Sequence, residues 1–146
     1  MSALDAKRRA ALNAIADELI PAALGMPCFS AAGEAAGEVD AMVDHVLSLR
    51  PELLDGLTGA LDRVTAGENP AEAARRLNSA DPDGLATIGL VASSAYYMMP
   101  KVRRIMGYRG QEQRPATAAE ENDWMQDDLL QPVIDRGPIY RDPGAG

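Results

Sequence analysis

The amino-acid sequence predicts an all-α protein, a single-domain bundle of about five or six helices with an extended C-terminal tail. Hydrophobic residues make up 47% of the 146-residue chain but aromatic residues only 4%. The core must therefore be built mainly from Ala, Leu, Val, Ile and Met, a mixture in which good helix formers are abundant. Apolar residues recur at helical spacing in several segments, and no useful length alternates as a half-buried strand would. We expect the helical domain over residues 1–136 and an extended or disordered tail over residues 137–146.

Apolar stripes and prolines predict the first three helices. Ser2 is a plausible cap for a helix that runs to about Ile20, and an ordered loop follows over Pro21–Gly37. A second helix carries Val39, Met42, Val43, Val46 and Leu47. Pro51 suits the first turn of a third helix, which carries Leu53, Leu54, Leu57, Leu61 and Val64. The second and third helices are so closely joined that we expect them to pack as a hairpin.

Cap-and-proline signatures predict the later helices. Asn69 before Pro70 starts a short fourth helix through Leu77, and the segment 79–83 starts the longest one. That fifth helix carries Leu85, Ile88, Ala92, Ala95, Tyr96 and Met99. It should kink near Pro100 and end at Gly107. A capping box at residues 117–120 opens a last helix with Met125, Leu129, Leu130, Val133 and Ile134, in which Pro132 predicts a bend or stop around residues 130–131.

The segment from Tyr96 to Pro115, called the strip below, is the most unusual part of the sequence. It holds three of the four tyrosines and four arginines in a chain whose net charge is −8. Aromatic and Arg side chains where a helix gives way to a loop are typical of a recognition surface. Helical spacing predicts that Tyr96 and Met99 pack in the core and that Tyr97 points outward.

Composition argues against several classes of function. The acidic balance, with a pI near 4.6, disfavours nucleic acid. A single Cys excludes an internal disulfide or a CxxC redox pair, and no apolar run approaches the ~20 residues that cross a bilayer. The N-terminal stretch continues into an amphipathic pattern with Asn13, Asp17 and Glu18, so we expect a soluble protein without an export signal.

No residue pattern indicates a catalytic, cofactor-binding or metal site. His45, the only histidine, falls off the apolar stripe of its helix and is interpreted as a solvated surface residue. Cys28 lies in an apolar loop with no base beside it, and a buried small hydrophobe is the better interpretation. Glycine-rich phosphate motifs such as GxGxxG are absent, so nucleotide or flavin binding by this chain alone is not expected.

Two segments carry a resemblance to a known family. Residues 12–22 (LNAIADELIPA), then Ala95-Tyr96-Tyr97 through Gly107-Tyr108-Arg109-Gly110-Gln111, resemble the gluconate 2-dehydrogenase subunit 3 family. The resemblance implies a small helical subunit beside a large flavoprotein of the glucose-methanol-choline type, which holds FAD and oxidises an alcohol or sugar. Many family members carry a twin-arginine signal, but Arg8-Arg9 here is not followed by an apolar stretch. We therefore expect a cytoplasmic complex, or a periplasmic one if a signal was removed or the partner directs export.

The sequence thus predicts a noncatalytic accessory subunit in a hetero-oligomer, with no cofactor of its own and FAD in the partner. The predicted partner-binding residues are Tyr97, Arg103, Arg104, Tyr108, Arg109, Arg114 and Tyr140. The loop 21–30 and the tail segment 138–140 are further candidates. Two alternatives stay open: a stand-alone ligand-binding protein or enzyme that uses a central pocket with Tyr96, His45 or Arg104, and a helical adaptor for an unrelated partner.

Overall fold

Helices account for the regular structure of the residues that the structure describes. The computed structural model describes residues 4–111, 130–137 and 139. Its helices are α1 (Ala6–Leu19), α2 (Glu38–Leu49), α3 (Leu53–Leu61), α4 (Pro70–Ala80), α5 (Pro82–Met98), α6 (Pro100–Ile105) and α7 (Gln131–Arg136). The only β pairing in this described part is one isolated antiparallel bridge, between Ala23 and Met26. The predicted all-α class is confirmed for the described residues.

The chain divides into two compact units. The first ends at Arg109 and contains α1 to α6, and the second begins at Gly110 and contains α7. Of the helices within the described ranges, none is both long enough and apolar enough to span a membrane. The capping box at 117–120 and the residues after it up to 129 lie outside the described residues, as do Ser2, Arg114 and Tyr140.

Helix α5 is the centre of the first unit. It packs against α1, α2, α3 and α4, and its buried residues form one broad face at the i, i+4, i+7, i+8 spacing. The buried residues of α5 are Gly84, Ile88, Val91, Ala92, Ala95 and Tyr96. The predicted hairpin of α2 with α3 is wrong, since each of these helices packs on α5 and they barely contact each other. The broad buried face of α5 gives both helices an apolar surface to pack against.

Side-chain caps fix where the helices begin. Asp5 caps α1 in place of the predicted Ser2, and its carboxylate accepts a hydrogen bond from the N–H of Arg8 at 2.8 Å. Asn69 caps α4 and Asp81 caps α5, each directly before a proline in the first turn, as the sequence predicts. These caps satisfy backbone donors that have no partner within the helix.

The junction between α5 and α6 is a break, and the predicted kink of one continuous helix is wrong. Met99 has extended backbone angles, φ −61° and ψ 130°, so α5 stops at Met98 and α6 starts at Pro100. The ring of a proline disfavours the helical conformation in the residue before it, which explains the break. The side chain of Met99 is fully buried, as predicted, and anchors the junction to the core.

Pro132 also begins a helix in the structure. It lies in the first turn of α7, which starts at Gln131, where the sequence predicts a bend or stop. A proline is well tolerated there because the first N–H groups of a helix have no acceptor in the helix.

Candidate partner-binding surface

Tyr97 is exposed on the outer side of α5. Its side chain is 56% exposed, whereas Tyr96 beside it is only 2% exposed. The two rings meet edge to face, with centroids 5.4 Å apart. Tyr97 continues an outward line of residues at helical spacing, which also contains Ala86, Leu90 and Ser93. The predicted division of the two tyrosines between core and surface is confirmed.

The end of α6 holds Tyr108 against Arg103. Gly107, at φ 69°, and Tyr108 follow the helix, and their N–H groups donate to the carbonyls of Arg104 (3.1 Å) and Arg103 (2.9 Å). This pair of bonds is a Schellman motif, in which a left-handed residue turns the chain back over the last turn. The Arg103 guanidinium carbon consequently lies 5.0 Å from the centroid of the Tyr108 ring, a cation–π contact. Tyr108 itself is 56% exposed.

Two apolar side chains that the sequence-based prediction did not select lie between these tyrosines in the sequence. Ile105 and Met106 are about half exposed, because only Val102 of the six-residue helix α6 is buried. Their position at the end of a short helix with a single buried residue leaves them exposed. Exposed apolar residues beside aromatic and Arg side chains are typical of interface centres.

Arg104 is exposed but forms an ion pair within the protein. Its guanidinium donates to both carboxylate oxygens of Glu34, at 2.7 and 3.2 Å. This hydrogen-bonded pairing holds the pKa of Glu34 below its usual value. The neighbouring Lys101 donates to the carbonyl of Ala31 at 2.8 Å. Helix α6 therefore fastens the long loop between α1 and α2 at two points.

Arg109 is a further exposed residue near the end of the first unit. Within the described residues it makes no hydrogen bond or ion pair, and it is exposed to solvent. The exposed side chains Tyr97, Ile105, Met106, Tyr108 and Arg109, with the partly buried Arg103, are together called the α5–α6 surface below. The predicted residues Arg114 and Tyr140 lie outside the described part of the chain.

The loop between α1 and α2, residues 20–37, is held from several sides. Phe29 is its anchor, with no exposed surface, and its N–H donates to the carbonyl of Ile20 at 3.2 Å. Asp17 of α1 accepts hydrogen bonds from both the N–H and the hydroxyl of Ser30, each at 2.7 Å. The Tyr96 hydroxyl donates to the carbonyl of Pro27 at 2.7 Å. The loop is thus an ordered part of the fold, as predicted.

A tight turn projects from this loop at Ala23–Met26, and it is called the Leu24 turn below. The N–H of each end residue donates to the carbonyl of the other, at 3.2 and 2.8 Å. Leu24 and Gly25 both have positive φ, 51° and 83°, the pattern of a type I′ turn. Leu24 stands at the tip with a relative exposure of 103%, so its side chain contacts little of the protein.

Comparisons with known proteins return no relative. No family model, no curated protein and no solved structure matches the chain. The family resemblance therefore depends on the two sequence segments alone, and the surface has to be interpreted from its own geometry.

The structure does not bring together the residues of the alternative central site. Tyr96 is buried with its hydroxyl on Pro27, His45 is exposed on α2, and Arg104 is paired with Glu34. Two surface hollows of about 220 and 300 Å³ lie elsewhere, one between α1 and the α3–α4 turn and the other between α3 and the start of α5. Neither is lined by any of these three residues.

Cys28 differs from its prediction. It is half-buried rather than buried, and its Sγ lies 3.6 Å from the Ser30 hydroxyl oxygen. Ser30 and Asp17 bring polar atoms to this side of the loop, which an apolar neighbouring sequence does not reveal.

His45 is exposed, as predicted. No group of three or more His, Cys, Asp or Glu residues able to hold a metal occurs within the described ranges.

Proposed function

We propose that the chain is a noncatalytic accessory subunit that binds an FAD-dependent oxidoreductase of the glucose-methanol-choline type. The observation that carries the proposal is the α5–α6 surface, which combines two half-exposed tyrosines, exposed apolar residues and two arginines without carboxylate partners in the described chain. Tyr and Arg are the residue types that most often contribute large binding energies at protein interfaces.

The surface is held in one geometry before any partner arrives. The Schellman motif fixes Tyr108 over Arg103, and the edge-to-face contact with buried Tyr96 restrains the ring of Tyr97. Side chains that are already ordered lose less conformational entropy on binding, so more of the contact energy contributes to affinity. This arrangement favours a stable complex over a transient encounter.

The choice of a flavoprotein partner comes from the sequence resemblance. The two resembling segments are far apart in the chain, but Asp17 of the first and Tyr96 of the second bind the same loop, through Ser30 and Pro27. Two segments that converge on one structural region support a shared role in that region. The partner's FAD would supply the oxidation chemistry, while this chain would contribute contacts that favour the folded, FAD-loaded partner.

The location and assembly of the complex belong to the same proposal. We infer a hetero-oligomer in the cytoplasm, with a periplasmic location as the alternative if export is directed by the partner or by a signal that has been removed. Nucleic acid is not proposed as a partner, because a chain of net charge −8 repels phosphates over most of its surface.

Expression of the flavoprotein with and without this chain tests the proposal. The flavoprotein is first identified by capture on the tagged full chain from the native host and by its flavin absorbance. Expressed alone, it should be less soluble and contain less FAD than the co-expressed protein. A flavoprotein that is equally soluble, fully loaded with FAD and equally active alone would overturn the proposal, and a captured partner without flavin would favour an adaptor role.

Substitutions in the α5–α6 surface locate the contact. Tyr97→Ala and Tyr108→Ala should each weaken binding about 10-fold or more, as expected for an aromatic hot spot. Leu49→Ala is the matched control, because Leu49 is also an exposed large apolar residue but lies at the end of α2. It should bind as the wild type does. Equal binding by all three variants would place the contact elsewhere.

A further inference from the structure

We infer that the Leu24 turn is a preformed apolar anchor whose leucine inserts into an apolar pocket of the partner protein. This inference rests on the proposed function and adds a second contact point to it, separate from the α5–α6 surface. Three properties of the turn carry it: the strain of its backbone, its rigid attachment, and its place in a loop held by basic residues.

Leu24 is an unfavourable residue for its position in the free protein. At φ 51° its backbone is left-handed, a conformation in which the Cβ of an L-residue crowds the neighbouring carbonyl. Type I′ turns take Asn, Asp or Gly at this position for that reason. The apolar side chain is also left entirely in water, where it contributes no burial to the fold. A leucine is therefore disfavoured at this position by both its backbone conformation and its exposure. A strained, exposed residue of this kind points to a contact with another molecule.

The turn is presented in a fixed position. Its two end residues hydrogen-bond each other, and the next residue, Pro27, is held by the hydroxyl of Tyr96. Two residues further on, Phe29 is fully buried and bonded to Ile20, so the loop is tied to the core on both sides of the turn. An anchor that is already fixed loses little entropy when it enters a pocket.

The electrostatics select a different protein, rather than a second copy, as the occupant. Each copy carries a formal charge of −8, so two copies repel each other at neutral pH. The loop that carries the turn is fastened to α6 by Lys101 and Arg104, and Arg103 and Arg109 of the same region have no carboxylate partner in the described chain. The complementary partner is the one that covers the α5–α6 surface, with an apolar pocket for Leu24 and carboxylates that face Arg103 and Arg109.

The decisive variant is Leu24→Asn in the full chain. Asn tolerates the left-handed backbone and removes the apolar side chain, so the midpoint of thermal unfolding should be unchanged or higher. Affinity for the co-purified flavoprotein should nevertheless fall about 10- to 100-fold, the range expected when a buried leucine side chain is lost. Leu49→Asn is the control, since it removes an exposed leucine of α2 and should leave affinity unchanged.

A photo-crosslinking residue at position 24 identifies what the turn touches. The expected product joins position 24 to an apolar segment of the flavoprotein, and the same probe at position 49 should give no such product. Wild-type affinity of Leu24→Asn, or a crosslink only to a second copy of this chain, would overturn the inference while the proposed function stands. Failure of the wild-type chain to bind any flavoprotein would overturn both.

Discussion

The hydrogen bond from Tyr96 to Pro27 offers a sharp test of how the loop between α1 and α2 is held. Tyr96→Phe removes one oxygen atom from a side chain that is 2% exposed, and it deletes a 2.7 Å bond that joins positions 69 residues apart in sequence. A net contribution of about 1 kcal/mol is expected for such a bond. Because Pro27 is half-exposed, water can reach its carbonyl after the substitution, so the loss should not greatly exceed this value.

The pH dependence of that loss has a definite sign. Burial, with a smaller effect of Tyr97 and Cys28, raises the pKa of Tyr96 above its usual 10.0. The unfolded chain therefore releases the hydroxyl proton at lower pH than the folded chain, which lowers the free energy of unfolding as pH rises above about 10. Phenylalanine has no such proton. The advantage of the wild type over Tyr96→Phe should shrink as the solution becomes alkaline.

Urea unfolding followed by circular dichroism measures both effects, with Tyr97→Phe as the matched control. The Tyr97 ring is half-exposed, and its hydroxyl makes no hydrogen bond in the described part of the chain, so its removal should not change stability at neutral pH. Hydrogen exchange at the Phe29 amide should be faster in Tyr96→Phe. If that variant is as stable as the wild type at neutral pH, or if the wild-type advantage grows with pH, the loop is not held as described.

Three further substitutions test separate parts of the structure. Gly107→Ala places a Cβ at φ 69° with nothing within 4 Å of it, so it should destabilise the α6 end by about 1 kcal/mol through backbone strain alone and should weaken partner binding by releasing Tyr108. Glu34→Gln removes the partner of Arg104. The pKa of Glu34 is lowered in the folded protein. The ion pair therefore adds to the free energy of unfolding at neutral pH, and this contribution is lost as pH falls below about 4.5. Stability of the Glu34→Gln variant should lack this dependence on acid pH. Phe29→Ala should destabilise the fold by about 3–5 kcal/mol, since it empties a fully buried site.

Each of these expectations has a clear contrary result. An unchanged unfolding midpoint and unchanged partner binding for Gly107→Ala would mean that the Schellman geometry is not needed. An acid unfolding curve for Glu34→Gln identical to the wild type would mean that the ion pair with Arg104 adds no stability. A small loss for Phe29→Ala, comparable to that of an exposed residue, would mean that the loop is not part of the core.

Local sequence signals determined the helices of this protein. Asn69 and Asp81 cap helices α4 and α5 directly before prolines, and the left-handed Gly107 ends α6. These signals succeed because a helix end needs a donor, an acceptor or a backbone conformation within about four residues. The same reasoning separated Tyr96 from Tyr97, since adjacent residues of a helix point in different directions.

The tertiary structure alone decided how those helices meet and which side chains remain available. Arg104 is predicted as a partner contact, but it pairs with Glu34, which lies 70 residues away in sequence. Helices α2 and α3 are adjacent in sequence, yet each packs on α5 rather than on the other. The exposure of Leu24 depends on a loop held by Asp17 and Tyr96, on two different helices. Helical periodicity does not predict contacts between residues that are distant in sequence, because it indicates only which side of a helix is apolar.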